Sequence, residues 1–213
     1  MRVVRWPIAH GRSKLEHSTR IQATMSRISF PTSETMDEHQ RRVHDKVVSG
    51  RRGKIVGPLR AALHSPELAD RWQALGEFLR YNTSLTPRLS ELAILVTGRA
   101  CQSPFEWYAH RVEAEKLGIE APIIDALLVQ SMPVGLTDDE STIIQFATEL
   151  NRFRSVSDAT YAQALERFGE RTVVELTALV GYYTMVAMTL NAHEIPLPEG
   201  VAPAFPLPQR SLS

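Results

Sequence analysis

Three hydroxyl–proline pairs, Ser65-Pro66, Thr86-Pro87 and Ser103-Pro104, punctuate the middle of the chain, and each reads as the start of a helix. Serine or threonine at the N-cap accepts a backbone N–H. Proline at the first helical position loses nothing, because its N–H would be unpaired there and its φ is already helical. Other signals extend the pattern. Residues 37–48 form a polar amphipathic helix, Thr137-Asp138-Asp139-Glu140 is a capping box opening a helix to about Arg152, and Ser157 caps a further helix that stops at Gly169. Gly118 ends the helix begun at Pro104, and residues 123–129 make a short apolar turn. Leu68, Trp72, Leu75 and Leu79 recur at i, i+4, i+7 and i+11, which predicts a core face. No segment joins period-2 alternation to hairpin turn signals, so the predicted fold is all-α.

The chemistry-bearing residues gather where two of these helices meet. Glu91 falls early in the helix after Pro87, and Glu106 and His110 fall in the helix after Pro104. Residues four apart on a helix stack on one face, roughly 5–6 Å between Cβ atoms, so Glu106 and His110 can share a proton or a ligand. They lie on the shoulder of the apolar stripe Phe105, Tyr108, Ala109 and Val112. Structural roles compete with this one. Ser103 and Glu106 also have capping-box spacing, His110 can simply pack, and Glu91 can pair with Arg88 across one turn.

These residues, in the run LTPRLSELAILVTGRACQSPFEWYAHRVEAEKLGI, resemble the carboxymuconolactone decarboxylase and alkylhydroperoxidase-D-like family, with the resemblance extending over residues 37–198. The peroxidase branch of that family carries a Glu, then Cys-x-x-Cys, then a His. Glu91 and His110 match, whereas Ser103 and Glu106 occupy the two cysteine positions. A dithiol cycle cannot be built, since Cys101 is the single cysteine in the chain and lies two residues before the first of those positions. The FEWYAH form is similar to the non-thiol, decarboxylase-like branch. The resemblance therefore implies an oligomeric helical bundle, commonly a trimer or hexamer, performing cofactor-free and metal-free decarboxylation of a small carboxylated lactone or related acid of aromatic catabolism. His110 would protonate the dienolate, Glu106 would hold the imidazole tautomer and Glu91 would complete the network. Ser103 and Trp107 would contact substrate. Two other functions remain open: a non-catalytic oligomeric small-acid-binding protein, and a peroxidase-like protein working through Cys101 alone with His110 as base.

A carboxylate clamp has several candidates in Arg88, Arg111 and the loop bearing Arg51 and Arg52. That loop, SGRRGKIVGPL, contains Gly-Lys but has Ile55 where a phosphate-binding loop needs Ser or Thr. The amides of Gly53 and Gly57 with Arg51, Arg52 or Lys54 can hold a carboxylate; the alternative is a plain connector. Residues 172–192 are apolar on nearly every side. Glu175 interrupts them, leaving less than the roughly 20 residues a bilayer requires, so they predict a bundle centre or a subunit interface rather than a membrane span. On this segment Tyr182 and Tyr183 either pack or lend a phenol to the site, and His193 suits the helix C-terminal dipole.

Lys plus Arg and Asp plus Glu balance at 24 each, which gives no steering toward nucleic acid or an anionic membrane. One cysteine excludes an intramolecular disulfide framework and fits a reducing cytoplasm. Residues 1–30 set six basic side chains against Glu16 alone and contain no signal-peptide core. They read as a loose arm or a start-site artefact before Met25, with an organellar transit peptide as the alternative. The expected organisation is an arm over 1–30, a helical domain over 31–194 and a proline-rich tail over 195–213.

Overall fold

The computed structural model describes residues 26–206. Most of the N-terminal arm and the last seven residues, on which the start-site and tail expectations partly fall, lie outside the described residues. Eight helices follow one another among the described residues: α1 (Glu38–Ser49), α2 (Pro58–Ala62), α3 (Pro66–Tyr81), α4 (Pro87–Ala100), α5 (Pro104–Lys116), α6 (Ala121–Leu128), α7 (Asp138–Phe153) and α8 (Asp158–Ala192). No strand occurs among the described residues.

Each of the three prolines opens a helix as expected, but of the hydroxyls before them only Thr86 makes the capping bond; Ser65 and Ser103 do not. Thr86 accepts a hydrogen bond from the Leu89 amide, and Thr137 and Glu140 close a full capping box. Ser157 accepts from the Thr160 amide, and Asp37 forms a box with Gln40. Gly169 stops the first helical stretch as expected: with φ 74° and ψ 166° it leaves helical geometry, so α8 is two helical segments joined at a kink.

The bundle is built around α4, which packs on α3, α5, α6, α7 and α8. Nine consecutive residues of α4, Ser90 through Gly98, are buried. The helix without a wet face is α4, whose Ser90, Glu91 and Thr97 disguise it in sequence. α8 keeps Val174, Met185 and Met188 exposed. By length and composition alone α8 could cross a bilayer, yet more than half of its most apolar stretch is buried in the bundle. Its Glu175 is buried too, accepting from the Ser84 amide at 2.6 Å and Arg171 Nε at 2.9 Å. It is a core helix by packing.

One correction concerns α3. Trp72 and Leu79 are buried as expected, but Leu68 and Leu75 are about half exposed. The inner face runs through Ala69, Trp72, Gln73, Gly76 and Leu79. Small residues mark it because α3 comes close to α8. A Cβ at position 76 would collide with the Tyr182 hydroxyl and with Arg52 Nη2.

Candidate active site

The α4–α5 joint brings Glu91, Glu106 and His110 together in the interior. The imidazole lies between the two carboxylates: Nδ1 is 2.7 Å from Glu91 Oε2, and Nε2 is 3.4 Å from Glu106 Oε1. None of the three is more than 7% exposed. The carboxylates sit on opposite ring nitrogens rather than converging on one point, an arrangement for relaying a proton and not for chelating an ion. Gly98 on α4 leaves the space that Glu106 fills, since a Cβ there would stand 3.1 Å from Glu106 Cγ.

The competing structural roles are not taken up. Ser103 is the N-cap of α5, but its side chain makes no capping bond. Ser103 Oγ and Glu106 Oε1 are both buried without a hydrogen-bond partner. Arg88 does not pair with Glu91; it is held by Glu140, Glu120 and the Gly118 carbonyl. The structure also reassigns a role. Glu91, not Glu106, makes the short bond that fixes the imidazole tautomer, and Glu106 faces the other nitrogen with an oxygen to spare.

Burial raises the Glu106 pKa to about 7, against the attraction of His110 and Arg80 and with added repulsion from Glu91. Burial works to lower His110, but the charge and hydrogen bond of Glu91, with Glu106 adding to them, carry it above its ordinary value. The pair therefore exchanges protons near neutrality as one coupled unit. Tyr183 lies edge-on to the imidazole, ring centroids 4.8 Å apart, and burial keeps its phenol protonated, with a pKa well above the ordinary one.

Beside this array lies a cluster of donors with no acceptor. Arg52 Nε and Nη2 and Trp72 Nε1 are buried and unpartnered. Both side chains approach the Tyr182 hydroxyl closely enough to make it more acidic, although its burial outweighs them. Tyr182 in turn packs edge-on to Tyr183, at 5.2 Å, which connects the cluster to His110. Burying N–H groups of a cation without an acceptor is costly, and an anion's oxygens would relieve it. Arg80 is the residue that sequence reasoning missed. Burial opposes its charge, but the carboxylates of Glu91 and Glu113 favour it, and its pKa stays above the ordinary value beside the site. Nothing in its spacing on α3 relates it to the 91–110 run, so no sequence signal marked it.

The remaining candidates fall elsewhere. Arg51 stacks over Tyr81, 4.2 Å from the ring centroid, and Arg111 pairs with Glu115 at the surface. Trp107 is 1% exposed and packs edge-on against Phe205, so it is a covered wall and lines no open cleft. Cys101 caps the end of α4 half-buried, and burial pushes its thiol up. His193 is the C-cap of α8, as the dipole reading required, and its carbonyl accepts from the Arg27 amide and Ser26 Oγ.

The model of the carboxymuconolactone decarboxylase family matches residues 66–149, the segment that holds α3 to α7 and all three residues of the array. Residues 66–149 belong to that family. The described residues share a helical fold with solved alkylhydroperoxidase-type structures. A peroxidase-related protein from Ralstonia eutropha JMP134, described as an alkylhydroperoxidase AhpD core, superposes with a TM-score of 0.70 at 16% identity, over 83% of this chain and 94% of that one. A peroxidase-related protein from Silicibacter sp. TM1040 gives 0.67 at 15% identity, over 82% and 93%. The debrominase Bmp8, solved with 2,3,4-tribromopyrrole, gives 0.63 at 11% identity, over 80% and 91%. At these identities the likeness is one of fold. No curated protein matches the chain.

Proposed function

We propose that this family member is a cofactor-free lyase that removes CO₂ from a small carboxylated lactone or related acid, with the Glu91–His110–Glu106 array moving the proton. The observation that carries the reading is that array: a buried imidazole between two carboxylates, one binding it tightly and the other unpartnered with a pKa near 7. When the C–CO₂ bond breaks, its electron pair passes into a conjugated carbonyl to give a dienolate, and a proton must then reach carbon. A donor with a pKa near the working pH does this best. Glu106 gives the proton, His110 restores it from its Nε2, and Glu91 stabilises the imidazolium through Nδ1. Arg52, Trp72 and Tyr182 supply the donors for a substrate carboxylate, and Ser103 Oγ is a further unpartnered group for a substrate oxygen.

The single-thiol peroxidase reading draws on the peroxidase-related structural neighbours, but it lacks an activated thiol: burial makes Cys101 less acidic, not more. Oligomerisation belongs to the same proposal. Leu68, Leu75 and Phe78 on α3 and Val174, Met185 and Met188 on α8 are large apolar side chains left in water, as expected of faces that meet other copies of the chain.

The test is CO₂ release from 4-carboxymuconolactone by the purified protein with no metal or cofactor added, beside His110→Ala and Glu106→Gln. Turnover that collapses in both variants while the sedimentation profile stays unchanged supports the reading. Absence of turnover by the unaltered protein, or turnover that survives His110→Ala, overturns it.

A further inference from the structure

A cleft lies apart from His110, which does not line it. It encloses about 460 Å³ between α4, α6 and α7, on the side of α4 opposite Glu91. At 100° per residue, Val96 and Ala100 in its wall point roughly 140–180° away from Glu91. The volume is in the range that holds small organic ligands. Its floor is apolar, made by Val96, Leu127 and Ile144, all buried.

The polar groups around that floor are incomplete in complementary ways. Asn151 lines the cleft and is only 7% exposed. Its amide nitrogen donates to the Ala147 carbonyl at 2.8 Å and to Thr97 Oγ1 at 3.1 Å, which fixes the amide's orientation. Its oxygen is thereby left buried with no donor. A native protein rarely leaves a buried acceptor empty without a use for it. Two guanidinium groups, Arg99 and Arg152, also line the cleft. Arg99 spends its Nε on the Leu128 carbonyl at 2.7 Å and lies over the Phe205 ring, while Arg152 lies over Phe153. Neither has an ion-pair partner among the described residues, and no carboxylate lines the cleft. Two free cations, a greasy floor and an acceptor lacking a donor define one ligand chemistry.

We infer that this cleft is a second binding site, separate from the His110 array, for a small organic anion whose acid group pairs with Arg99 and Arg152. An uncharged N–H or O–H donor on the same ligand meets Asn151 Oδ1. The site stands whether or not the lyase reading does, because none of its residues belongs to the array. Its walls include α4, the helix that carries Glu91, so a ligand there touches the same rigid element as the proton relay.

The experiment is titration calorimetry of the full chain with 4-aminobenzoate, which has the acid, the flat apolar body and the opposed N–H donor. Benzoate, lacking the donor, and 4-aminobenzamide, lacking the charge, are the comparisons. Saturable binding of 4-aminobenzoate is expected, weakened at least fivefold in benzoate and at least tenfold in the amide. Arg152→Gln, an exposed change, should weaken it at least fivefold. Thr148→Trp, which fills the cleft from its exposed rim, should abolish it, and Arg52→Gln and His110→Gln should leave it unchanged. Failure to see saturable heat overturns the inference. So does loss of binding in Arg52→Gln with retention in Thr148→Trp, which would place the ligand at the array. A third overturning result is a smaller sedimenting species for Thr148→Trp than for the unaltered chain, which would make the cleft a contact between copies.

Discussion

Two charge clusters leave the same helix one turn apart and are built on opposite principles. At Arg88 everything is satisfied. Its guanidinium donates to Glu140 at 2.5 Å, to Glu120 at 2.7 Å and to the Gly118 carbonyl at 2.8 Å, while Glu140 also accepts from the Thr137 amide at 2.8 Å. Four helix ends are tied together, and the acids are drawn below their usual pKa, Glu120 by its bond to Arg88 and Glu140 by its amide and Arg88 bonds against its own burial. At Glu91 the account is left open. His110 has one short bond and one long contact, and Glu106 and Ser103 keep unpartnered oxygens in the interior. Complete satisfaction locks a fold, whereas incomplete satisfaction at depth leaves groups ready to meet a substrate. The same residue types do both; only the partner list separates structure from function.

The largest effect expected from breaking this contrast is at His110. His110→Gln should lower turnover by about 10²–10⁴-fold, the usual contribution of a positioned acid–base group, with little change in melting temperature. Steady-state kinetics and calorimetry on one preparation check both halves. Glu140→Ala should do the reverse. It strips Arg88 and the Thr137 amide of a buried partner, so stability should fall by about 2–3 kcal/mol in urea titration, with the kcat of the proposed reaction within about twofold of that of the unaltered protein. A large kcat loss in Glu140→Ala at full stability would erase the distinction between the clusters.

The satisfied cluster's helix starts were legible in sequence, and the open one only half so. Thr137 with Glu140 looked like a capping box and is one; Ser103 with Glu106 had the same spacing and is not. The two are alike over four residues, and what differs is tertiary. Glu140 meets Arg88 from α4, while Gly98 on α4 opens the room into which Glu106 turns. Spacing along one helix could bring Glu106 beside His110, but it could not show that Glu91, 19 residues earlier, holds the imidazole. The family resemblance carried that part. Arg80, Trp72 and Tyr182 come to the site from α3 and α8, through a close approach at Gly76 that is visible only in the fold. Leu68 and Leu75 misled for a related reason: hydrophobic periodicity marks an apolar face but does not say whether this chain or another copy covers it.

A smaller effect should appear in the pH dependence of folding. Glu106 is raised from 4.5 to about 7, and His110 is raised above 6.5. A group whose native pKa lies above its unfolded one binds its proton more tightly when folded. Its stabilisation is complete below the unfolded pKa and is lost as pH rises through the native one. Both groups act in the same direction, so the protein should lose stability between about pH 5 and pH 8. Glu106→Gln removes the larger contribution. Its stability should be flatter with pH and should exceed that of the unaltered protein at pH 8 by about 1–2 kcal/mol. An equal slope in both proteins, measured by urea unfolding at several pH values, would mean that Glu106 is ionised in the fold like any surface acid.

The smallest effect is also the sharpest comparison, because it sets two N-cap hydroxyls against each other. Thr137 Oγ1 accepts from the Glu140 amide, and Thr137→Ala should cost about 1 kcal/mol, the ordinary value of a lost cap. Ser103 Oγ is buried without a bond, so Ser103→Ala removes a stranded polar atom and should leave stability unchanged or raise it by up to about 1 kcal/mol. The loss should instead appear in substrate handling, as a KM raised several-fold with folding intact. Opposite signs in thermal unfolding for two alanine substitutions at equivalent helix positions would separate the cap that holds the fold from the hydroxyl kept for a ligand. A destabilised Ser103→Ala would return Ser103 to the role its sequence first suggested.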